Sequence, residues 1–324
     1  MEMQSAIARH PFFEQMKPGL LGMVGAQARE MRFSPGQMIF RQGEPANRFY
    51  VILDGLVGLE CHAPAHGDIM VQRFGGGEVL GWSWLLAPFT WEFQARAVEA
   101  TEIIALDGGH LLVMCEQNHE LGFELLKRMS KLIVGTLQAL RRQLLTMGRW
   151  QPVMAPPVPV AQYPVRSASL SERMAEHPFL REFSPEHLAA LRSVSMQAHF
   201  EPGQLLFKTG DPANRFYLIE QGRVVLAMSP APERAPLHIL GGGDALGWSW
   251  LFEPYVWHLD AQSLTSTQAI FFYGTWLREQ CELDPDFGFA LMKRVTRLAL
   301  QRLHVTREQL ITAVALKERL GVGG

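Results

Sequence analysis

Two tryptophan-rich segments contain the residues of this chain that are best suited to form a binding pocket. An indole offers one hydrogen-bond donor and a large apolar face, so such segments can bind a flat ligand, anchor a partner protein or fill a core. The segments share the pattern Gly-Trp-Ser-Trp followed by a third tryptophan and an apolar residue, and they comprise Gly81, Trp82, Ser83, Trp84, Trp91 and Phe93 in one copy and Gly247, Trp248, Ser249, Trp250, Trp257 and Leu259 in the other. All three roles stay open on the sequence alone.

The two segments belong to an internal duplication of the chain. Residues 45–50 (Pro-Ala-Asn-Arg-Phe-Tyr) return as residues 212–217, at an offset of 167. At the tryptophan segments the offset is 166, and it is still 166 at Cys115 and Cys281, so the second copy lacks one residue between residues 217 and 247. A deletion of this kind is tolerated at the tip of a hairpin.

The composition indicates a globular chain of about two domains. Of its 324 residues 48% are hydrophobic and 19% charged, and the formal net charge is −2. This charge gives no basis for a nucleic-acid partner, which needs a concentrated basic surface. The 3 cysteines lie far apart and favour a reducing compartment. Because neither a signal peptide nor a membrane-spanning run is apparent, we expect a cytoplasmic protein without a membrane partner.

Short apolar runs separated by glycine and proline turns predict an antiparallel β-roll of about eight strands in each copy. The Asp54-Gly55 turn between residues 49–53 and 56–59 is typical of a hairpin. Leucines spaced by three or four, with lysine and arginine between them, then predict a long amphipathic helix within residues 109–147, and the second copy ends alike. The fold class is mainly β with flanking α, with a short helix before each roll and a long helix after it.

The domain boundaries follow from the repeat and from a proline-rich stretch. We expect a first domain at residues 1–148, a semi-rigid linker at 149–170 and a second domain at 171–324. Each long helix could pack on its own roll. We favour the alternative, in which the two helices pair across the duplication as a pseudo-dimer within one chain.

The glycine framework of both copies resembles that of cyclic-nucleotide-binding domains. The matching residues are Phe33, Gly36, Ile39, Gly43, Ala46, Tyr50, Ile52 and Gly55 in the first copy and Phe200, Gly203, Gly210, Ala213, Tyr217, Ile219 and Gly222 in the second. The resemblance covers nearly the whole chain apart from the linker. It implies two β jelly rolls like those of catabolite-activator-type regulators, kinase regulatory subunits and gated channels, with a ligand cassette that is a short helix between two strands.

The ligand-binding positions depart from the family pattern. The family cassette uses a Glu for the ribose hydroxyl and, later in the chain, an Arg for the cyclic phosphate. Here Trp82 and Trp248 take the Glu position, and Trp91 and Trp257 take the Arg position. Loss of the arginine from a buried phosphate site costs about 3–5 kcal/mol, on the order of a thousandfold in affinity. We therefore expect no conventional cAMP or cGMP binding and no cofactor, and a cyclic nucleotide stays a disfavoured ligand.

A shifted alignment offers other polar anchors. Glu78 and Asp244 are acidic in both copies and lie four residues before Trp82 and Trp248, and Arg96 lies on the following strand. The counterpart of Arg96 is Gln262, so a shifted cassette would lack its arginine in the second copy, and we disfavour it.

The cysteines and histidines predict no metal site. One group in the first copy lacks a counterpart in the second and is expected at a solvated hairpin tip, namely Cys61, His62, His66 and Asp68. Cys115 and Cys281 recur in both copies and are expected to be buried thiols, with a redox-sensitive pair as the alternative.

The sequence favours a non-enzymatic protein. It has no nucleophile elbow, phosphate-binding loop or paired-carboxylate pattern. His258 and Asp260 are two residues apart and expected on one face of a strand, but the first copy has Glu92 and Gln94 there, which disfavours a catalytic dyad. Only residues 316–324 follow the second long helix, too few for a helix-turn-helix domain, so direct DNA binding is disfavoured.

Two functional hypotheses follow from these expectations. The first is a regulatory or structural subunit with degenerate ligand cassettes that acts through a protein partner or enzyme complex. The alternative is a sensor that binds a nucleotide or another small molecule in the cassette pockets and signals through the long C-terminal helices.

Overall fold

The computed structural model describes residues 2–63, 67–85, 89–146, 169–228 and 236–319. The predicted linker, residues 149–170, lies outside these ranges except for its last two residues. Each sequence copy forms an antiparallel double-sheet roll of eight strands with helices before and after it, which confirms the predicted fold class.

The first copy places short helices before its roll and two consecutive helices after it. Its helices are α1 (Glu2–Arg9), α2 (Pro18–Gly25), α3 (Gly108–Gln117) and α4 (His119–Thr146), with 3-10 turns at Pro11–Phe13 and Ser83–Leu85. Its strands are β1 (Arg29–Phe33), β2 (Met38–Phe40), β3 (Arg48–Asp54), β4 (Leu56–Ala63), β5 (Gly67–Gly75), β6 (Val79–Leu80), β7 (Gln94–Ala97) and β8 (Thr101–Asp107).

The eight strands of the first roll form two four-stranded sheets, in the orders β1-β8-β3-β6 and β2-β7-β4-β5. In β3 the residues from Phe49 to Ile52 are all buried. A strand that alternated buried and exposed positions would have one face in solvent, so β3 is covered on both faces. Its register aligns Tyr50 with Leu80 of β6, the edge strand of this sheet, so the tryptophan segment starts beside β3.

The second copy repeats this arrangement. Its helices are α5 (Leu170–Glu176), α6 (Pro185–Val194), α7 (Gly274–Leu283) and α8 (Pro285–Arg319), with a 3-10 turn at Trp248–Leu251. Its strands are β9 (Met196–Phe200), β10 (Leu205–Phe207), β11 (Arg215–Gln221), β12 (Arg223–Ala227), β13 (Pro236–Gly241), β14 (Ala245–Leu246), β15 (Asp260–Ser263) and β16 (Thr267–Tyr273). The sheet orders are β14-β11-β16-β9 and β10-β15-β12-β13.

The helical region after the first roll is divided in two. The leucine spacing predicts one long helix within residues 109–147, whereas the structure ends α3 at Gln117 and starts α4 at His119. Asn118 separates them in an extended conformation, and its side-chain oxygen accepts a hydrogen bond from the backbone N–H of Leu121 at 3.0 Å. A side chain that caps the next helix in this way favours a helix start over a continued helix.

The contacts within the chain divide it into two compact units. Unit 1 comprises residues 1–132 and 299–324, and unit 2 comprises residues 133–298. Unit 1 therefore contains the first roll together with the C-terminal part of α8, and unit 2 contains the second roll together with the C-terminal part of α4. The sequence-based boundaries at residues 148 and 171 describe the duplication and stay a prediction. Among the helices in the described ranges, none is both long enough and apolar enough to cross a bilayer.

Candidate functional site

The tryptophan segment of unit 1 begins at a glycine with a backbone conformation that other residues rarely adopt. Gly81 has φ of +86°, directly after β6. A Cβ atom added there would lie 3.0 Å from the carbonyl oxygen of Arg48 and 3.1 Å from the Trp91 ring. The chain can therefore turn from β6 into the 3-10 segment and pack closely on Trp91 only because residue 81 has no side chain.

The last tryptophan of each Gly-Trp-Ser-Trp segment packs in the core. Trp84 and Trp250 are buried, and their indole nitrogens have no acceptor within the described part of the chain. A Cβ atom added at Gly108 would lie 2.7 Å from Cγ of Trp84, and Gly274 approaches Trp250 equally closely. These two indoles thus hold the first turns of α3 and α7 against the rolls, which corresponds to the core-filling role.

The third tryptophan of each copy is stacked on a phenylalanine of the neighbouring strand. The ring centroids of Phe40 and Trp91 are 4.0 Å apart at an interplanar angle of 19°, and those of Phe207 and Trp257 are 4.0 Å apart at 13°. Both tryptophans are buried. The position that resembles the family's arginine is therefore part of an aromatic stack in both rolls.

The remaining predicted residues of unit 1 surround a pocket. Its volume is about 300 Å³ when its open mouth is counted. The predicted site residues Gly81, Trp82, Ser83, Trp91 and Phe93 line it, and the other lining residues are Phe40, Leu59, Phe74, Leu80, Glu92 and Arg307. The structure thus assembles most of the predicted site, leaves Trp84 outside the lining, and adds two charged side chains that the sequence reasoning did not include.

Arg307 is the unexpected member of this pocket. It lies on α8 and belongs to unit 1, and only 4% of its surface is exposed. Its guanidinium carbon lies 5.7 Å from the ring centroid of Trp82 and 5.3 Å from that of Phe93, within the range of cation–π contacts. Its Nη2 donates a hydrogen bond to Oε1 of Gln72 at 2.9 Å. Burial lowers the pKa of Arg307 to about 10, so the side chain stays charged at neutral pH.

Glu92 connects the pocket to α8 through a histidine. Oε2 of Glu92 lies 2.8 Å from Nδ1 of His304, and Glu308 lies 3.2 Å from the other ring nitrogen. The hydrogen bond with Glu92 is the main reason that the pKa of His304 is raised, and it outweighs the effect of burial. The two residues form a half-exposed ion pair when the imidazole is protonated.

Unit 2 has a histidine at the position of Glu92 and keeps an arginine at the position of Arg307. His258 replaces Glu92 of the first copy, and its Nδ1 lies 3.2 Å from Oγ of Ser249. Burial, followed by the positive charges of Arg141 and Arg142, lowers the pKa of His258. Arg141 precedes Arg307 by 166 residues, the offset of the repeat, and is 7% exposed. That offset is the sequence signal that could have identified the arginine pair. The predicted residues Trp248, Trp257 and Leu259 are buried in the same unit.

The alternative polar anchors are engaged elsewhere. Oε2 of Glu78 accepts a hydrogen bond from the Gly75 backbone at 2.7 Å, and Asp244 makes the equivalent contact with Gly241 at 2.7 Å. Each carboxylate thus closes the turn before the tryptophan segment. Arg96 donates to the carbonyl of Gly36 at 3.1 Å, and its Nε lies 3.4 Å from Oε2 of Glu60, on the outer side of the roll. None of the three lines the pocket.

The predicted placement of His258 and Asp260 on one face of a strand is wrong. β15 starts at Asp260, and His258 lies in the bend before it. Oδ1 of Asp260 accepts a hydrogen bond from the backbone of Thr209 at 2.8 Å, whereas His258 contacts Ser249. The two side chains therefore have separate partners and form no dyad.

The described cysteines are not joined in disulfide bonds, and Cys115 and Cys281 are buried, as expected. At the first hairpin tip, Nδ1 of His62 lies 2.8 Å from Oδ1 of Asp68, and His66 lies outside the described residues. Within the described ranges, no group of three or more His, Cys, Asp or Glu side chains is arranged to hold a metal ion.

Comparison with known proteins matches both rolls to one family. The cyclic nucleotide-binding domain model matches residues 30–118 and 197–283, together more than half of the chain. A CRP-like cAMP-activated global transcriptional regulator of Mycobacterium tuberculosis is 22% identical over 129 residues, and the match covers 40% of this chain and 58% of the regulator. Acetyltransferase Pat of Mycolicibacterium smegmatis is 35% identical over 75 residues, which cover 23% of this chain and 22% of the acetyltransferase.

Solved structures of the family are also similar to this chain. A "putative cyclic nucleotide-binding protein" of Geobacter metallireducens is 26% identical with a TM-score of 0.39, and the match covers 42% of this chain and 99% of that one. The regulatory domain of Toxoplasma gondii PKA, crystallised with cAMP, is 14% identical with a TM-score of 0.32 over 93% of this chain and 94% of that one. On the strength of the two matched segments, the chain belongs to the cyclic nucleotide-binding domain family and contains two copies of the domain.

Proposed function

We propose that this chain is a non-enzymatic regulatory or structural subunit whose two rolls do not bind cyclic nucleotides in the manner of the family. The observation that supports this best is the aromatic stack at Trp91 and its repetition at Trp257. Where the family pattern has an arginine for the phosphate, each roll presents a buried indole packed on a phenylalanine 4.0 Å away.

The surroundings of the pocket support the same conclusion. A cyclic phosphate placed beside Trp91 would face the Phe40–Trp91 stack and the carboxylate of Glu92, and the cation that lines the pocket, Arg307, already lies over Trp82 and Phe93. Transfer of an anion from water to such surroundings is unfavourable unless a charged partner compensates for it. The CRP-like relative is a regulator by its name, which fits a regulatory role for the domains. The subunit would then act through a protein partner or enzyme complex.

A second candidate is a sensor for another ligand, and one observation favours it. The pocket of unit 1 is not completely filled, and a cation from α8 lines it. A ligand that contacts both Trp82 and Arg307 would couple the roll to the long helix, as the sensor hypothesis requires. Pairing of the two long helices across the duplication and a cytoplasmic location stay predictions.

Calorimetry with cAMP and cGMP tests the proposed loss of cyclic-nucleotide binding. We expect no saturable heat from the wild-type protein with either nucleotide at concentrations up to about 100 μM, because loss of the phosphate arginine costs on the order of a thousandfold in affinity. The double substitution Trp82→Glu and Trp91→Arg restores the family's two anchors and should give measurable cAMP binding in unit 1. The same pair at Trp248 and Trp257 provides the matched test in unit 2. Micromolar cAMP binding by the wild-type protein would overturn the proposal.

Purification of the tagged chain from its own cells tests the partner. We expect a stoichiometric complex that survives size-exclusion chromatography and lacks cyclic nucleotide in its extract. A chain that elutes alone under mild conditions would contradict the subunit role and leave the sensor as the better hypothesis.

A further inference from the structure

An aromatic residue with an unusual backbone conformation lies between the Gly-Trp-Ser-Trp segment and the third tryptophan of each copy. Phe89 has φ of +56°, and Tyr255, its counterpart at the repeat offset of 166, has φ of +55°. The carbonyl of Phe89 accepts a hydrogen bond from the Ala46 backbone at 2.7 Å, and the carbonyl of Tyr255 accepts one from Ala213 at 2.7 Å. Large residues rarely adopt this left-handed conformation, which costs free energy. Both copies thus hold an aromatic ring in the same place against a local backbone preference.

In unit 2 this ring is covered by an arginine of α7. The guanidinium carbon of Arg278 lies 4.4 Å from the ring centroid of Tyr255, within the range of cation–π contacts. Its Nη1 donates a hydrogen bond to the carbonyl oxygen of Trp250, and Tyr255 is half-buried. The ring and the carbonyl together form a guanidinium site that the chain itself fills.

The helix that carries this arginine is placed alike in both units. A Cβ atom added at Gly274, the first residue of α7, would lie 2.7 Å from Cγ of Trp250. A Cβ atom added at Gly108, the first residue of α3, would lie 2.7 Å from Cγ of Trp84. The residue four positions further along each helix therefore occupies an equivalent position relative to the tryptophan.

The arginine is replaced in unit 1. Leu112 stands at the position of Arg278, and α3 contains neither lysine nor arginine. Phe89 is 47% exposed, and so the ring is less covered than its counterpart. Val113, which follows Leu112 and is 50% exposed, replaces Glu279 of α7. Unit 1 thus exposes apolar side chains where unit 2 has a charged pair.

The surroundings of Phe89 favour a guanidinium as the missing cover. The face of an aromatic ring is negative and attracts a cation. Glu116, the acidic residue of α3, lies one turn beyond Leu112, and the helix has no lysine or arginine to repel a cation. A guanidinium can stack on a ring and donate to a carbonyl at once, as Arg278 does in unit 2, whereas an ammonium group has no plane to stack.

We infer that Phe89 and the Trp84 carbonyl form the docking point for an arginine side chain of the partner protein. This rests on the proposed function, since it gives the kind of contact by which a partner binds unit 1. Arginine and aromatic residues at the centre of a protein–protein interface contribute much of the affinity, and apolar neighbours such as Leu112 and Val113 exclude water around them. Unit 2 fills its own copy of the site and does not dock in this way.

NMR on the full chain with N-acetylarginine methylamide tests the site without the partner. We expect the backbone amides of Phe89 and Leu112 to shift saturably with a dissociation constant on the order of 10 mM, because one exposed cation–π contact and one hydrogen bond are weak. N-acetylcitrulline methylamide has the same shape without the charge and should bind about threefold more weakly. The amide of Tyr255 should not shift, since Arg278 already covers its ring.

Substitutions in both units separate this site from a general effect of the probe. Leu112→Arg should fill the site from within the chain and abolish the response of Phe89, whereas Leu112→Gln should leave that response in place. Arg278→Leu should open the site of unit 2, so that the Tyr255 amide then shifts with the arginine probe.

The complex purified from cells tests the docking itself. Phe89→Ser and Leu112→Arg should each weaken the complex by about tenfold, as expected of an interface hot spot. Tyr255→Ser removes the equivalent ring of unit 2 and should leave the affinity unchanged.

Three results would overturn the inference: no response of the Phe89 amide to the arginine probe, equal binding of the arginine and citrulline probes, or a complex unaffected by both Phe89→Ser and Leu112→Arg. Absence of any complex, with the arginine probe bound at Phe89, would instead contradict the proposed function, so the two conclusions fail in distinguishable ways.

Discussion

Two histidines, one before each roll, act as buried neutral caps. The Nδ1 of His177 accepts a hydrogen bond from the backbone of Phe179, and its Nε2 contacts the carbonyl of Ile219 at 3.2 Å. His10 makes the same pair of contacts with Phe12 and Ile52. Since the accepting nitrogen must be unprotonated, the native structure requires the neutral imidazole.

The pKa of His177 predicts an acid-sensitive unit 2. Burial lowers this pKa from 6.5 to about 4, so between those pH values the unfolded chain binds a proton that the native chain excludes. The stability of the native state is not reduced above pH 6.5, it falls as the pH is lowered, and the loss amounts to about 3 kcal/mol by pH 4. Urea unfolding between pH 4 and 7.5 should therefore show a smaller dependence on pH for His177→Asn than for the wild type.

A matched control for this experiment lies in the same unit. His199 is exposed on β9 and pairs with Glu201 at 3.0 Å, so His199→Asn should keep the wild-type dependence between pH 4 and 6.5. If His177→Asn and His199→Asn behaved alike, the acid sensitivity would have another origin.

At the level of elements, the tryptophan segment shows how far sequence reasoning reaches. The repeat, the strand pattern and the glycine framework were enough to predict two rolls with a short helical cassette, and the structure confirms them. The segment alone could not reveal that Trp82 lines the pocket while Trp84 packs under Gly108. Trp82 directly precedes the 3-10 turn and Trp84 lies within it. The two side chains have different surroundings, which come from distant strands and helices.

The burial of Arg307 is a feature that the sequence did not predict. The leucine spacing of α8 predicted an amphipathic helix, and the arginines between the leucines were expected to face solvent. Helical periodicity states which residues share a face but not which roll covers that face. The burial of Arg307 follows from the contact of residues 299–319 with the first roll, which belongs to the tertiary structure of unit 1.

The contact between α8 and the first roll should respond to pH through His304. Folding raises the pKa of this histidine, chiefly through its hydrogen bond with Glu92. The contact therefore stabilises unit 1 fully below pH 6.5 and is lost as the pH rises through the higher, native pKa. An NMR titration of the His304 ring should show the largest fall in pKa for Glu92→Gln and a smaller fall for Glu308→Gln, because Glu308 contributes through its charge at 3.2 Å and not through the main hydrogen bond. Equal effects of the two substitutions would contradict the assignment.

At the scale of the whole molecule, the two compact units do not coincide with the two sequence copies. Unit 1 combines residues 1–132 with residues 299–324, and unit 2 takes the chain between them. Duplication alone would place each long helix with its own roll, and the sequence cannot show where a continuous helix changes its partner.

Because unit 1 includes residues 299–324, we predict that residues 1–148 do not form a complete first unit when expressed alone. The fragment lacks Arg307 and His304, so Trp82 and Phe93 lose the side chain that lies over them. We expect its thermal midpoint to be lower by about 5 °C or more than that of unit 1 in the full chain, with tryptophan emission shifted to longer wavelength. Addition of a peptide of residues 299–319 should reverse part of both effects.

A control fragment addresses instability from truncation itself. In this control, a flexible linker joins residues 1–148 to residues 299–319, and the fusion should regain the thermal midpoint of unit 1 in the full chain. The same fusion with Arg307→Gln and His304→Gln should not regain it. A bare fragment as stable as the full chain would show that α8 contributes little to unit 1.

The division of the first unit between both parts of the chain has a consequence during synthesis. The ribosome delivers residues 1–132 first and residues 299–319 only after all of unit 2, a delay on the order of 10 s at ordinary rates of translation. Throughout this interval Trp82 and Phe93 of the nascent first roll lack Arg307, the α8 side chain that lies over them in the native unit. We expect chaperones that recognise exposed aromatic side chains to engage the nascent chain at this stage and to leave once α8 has docked.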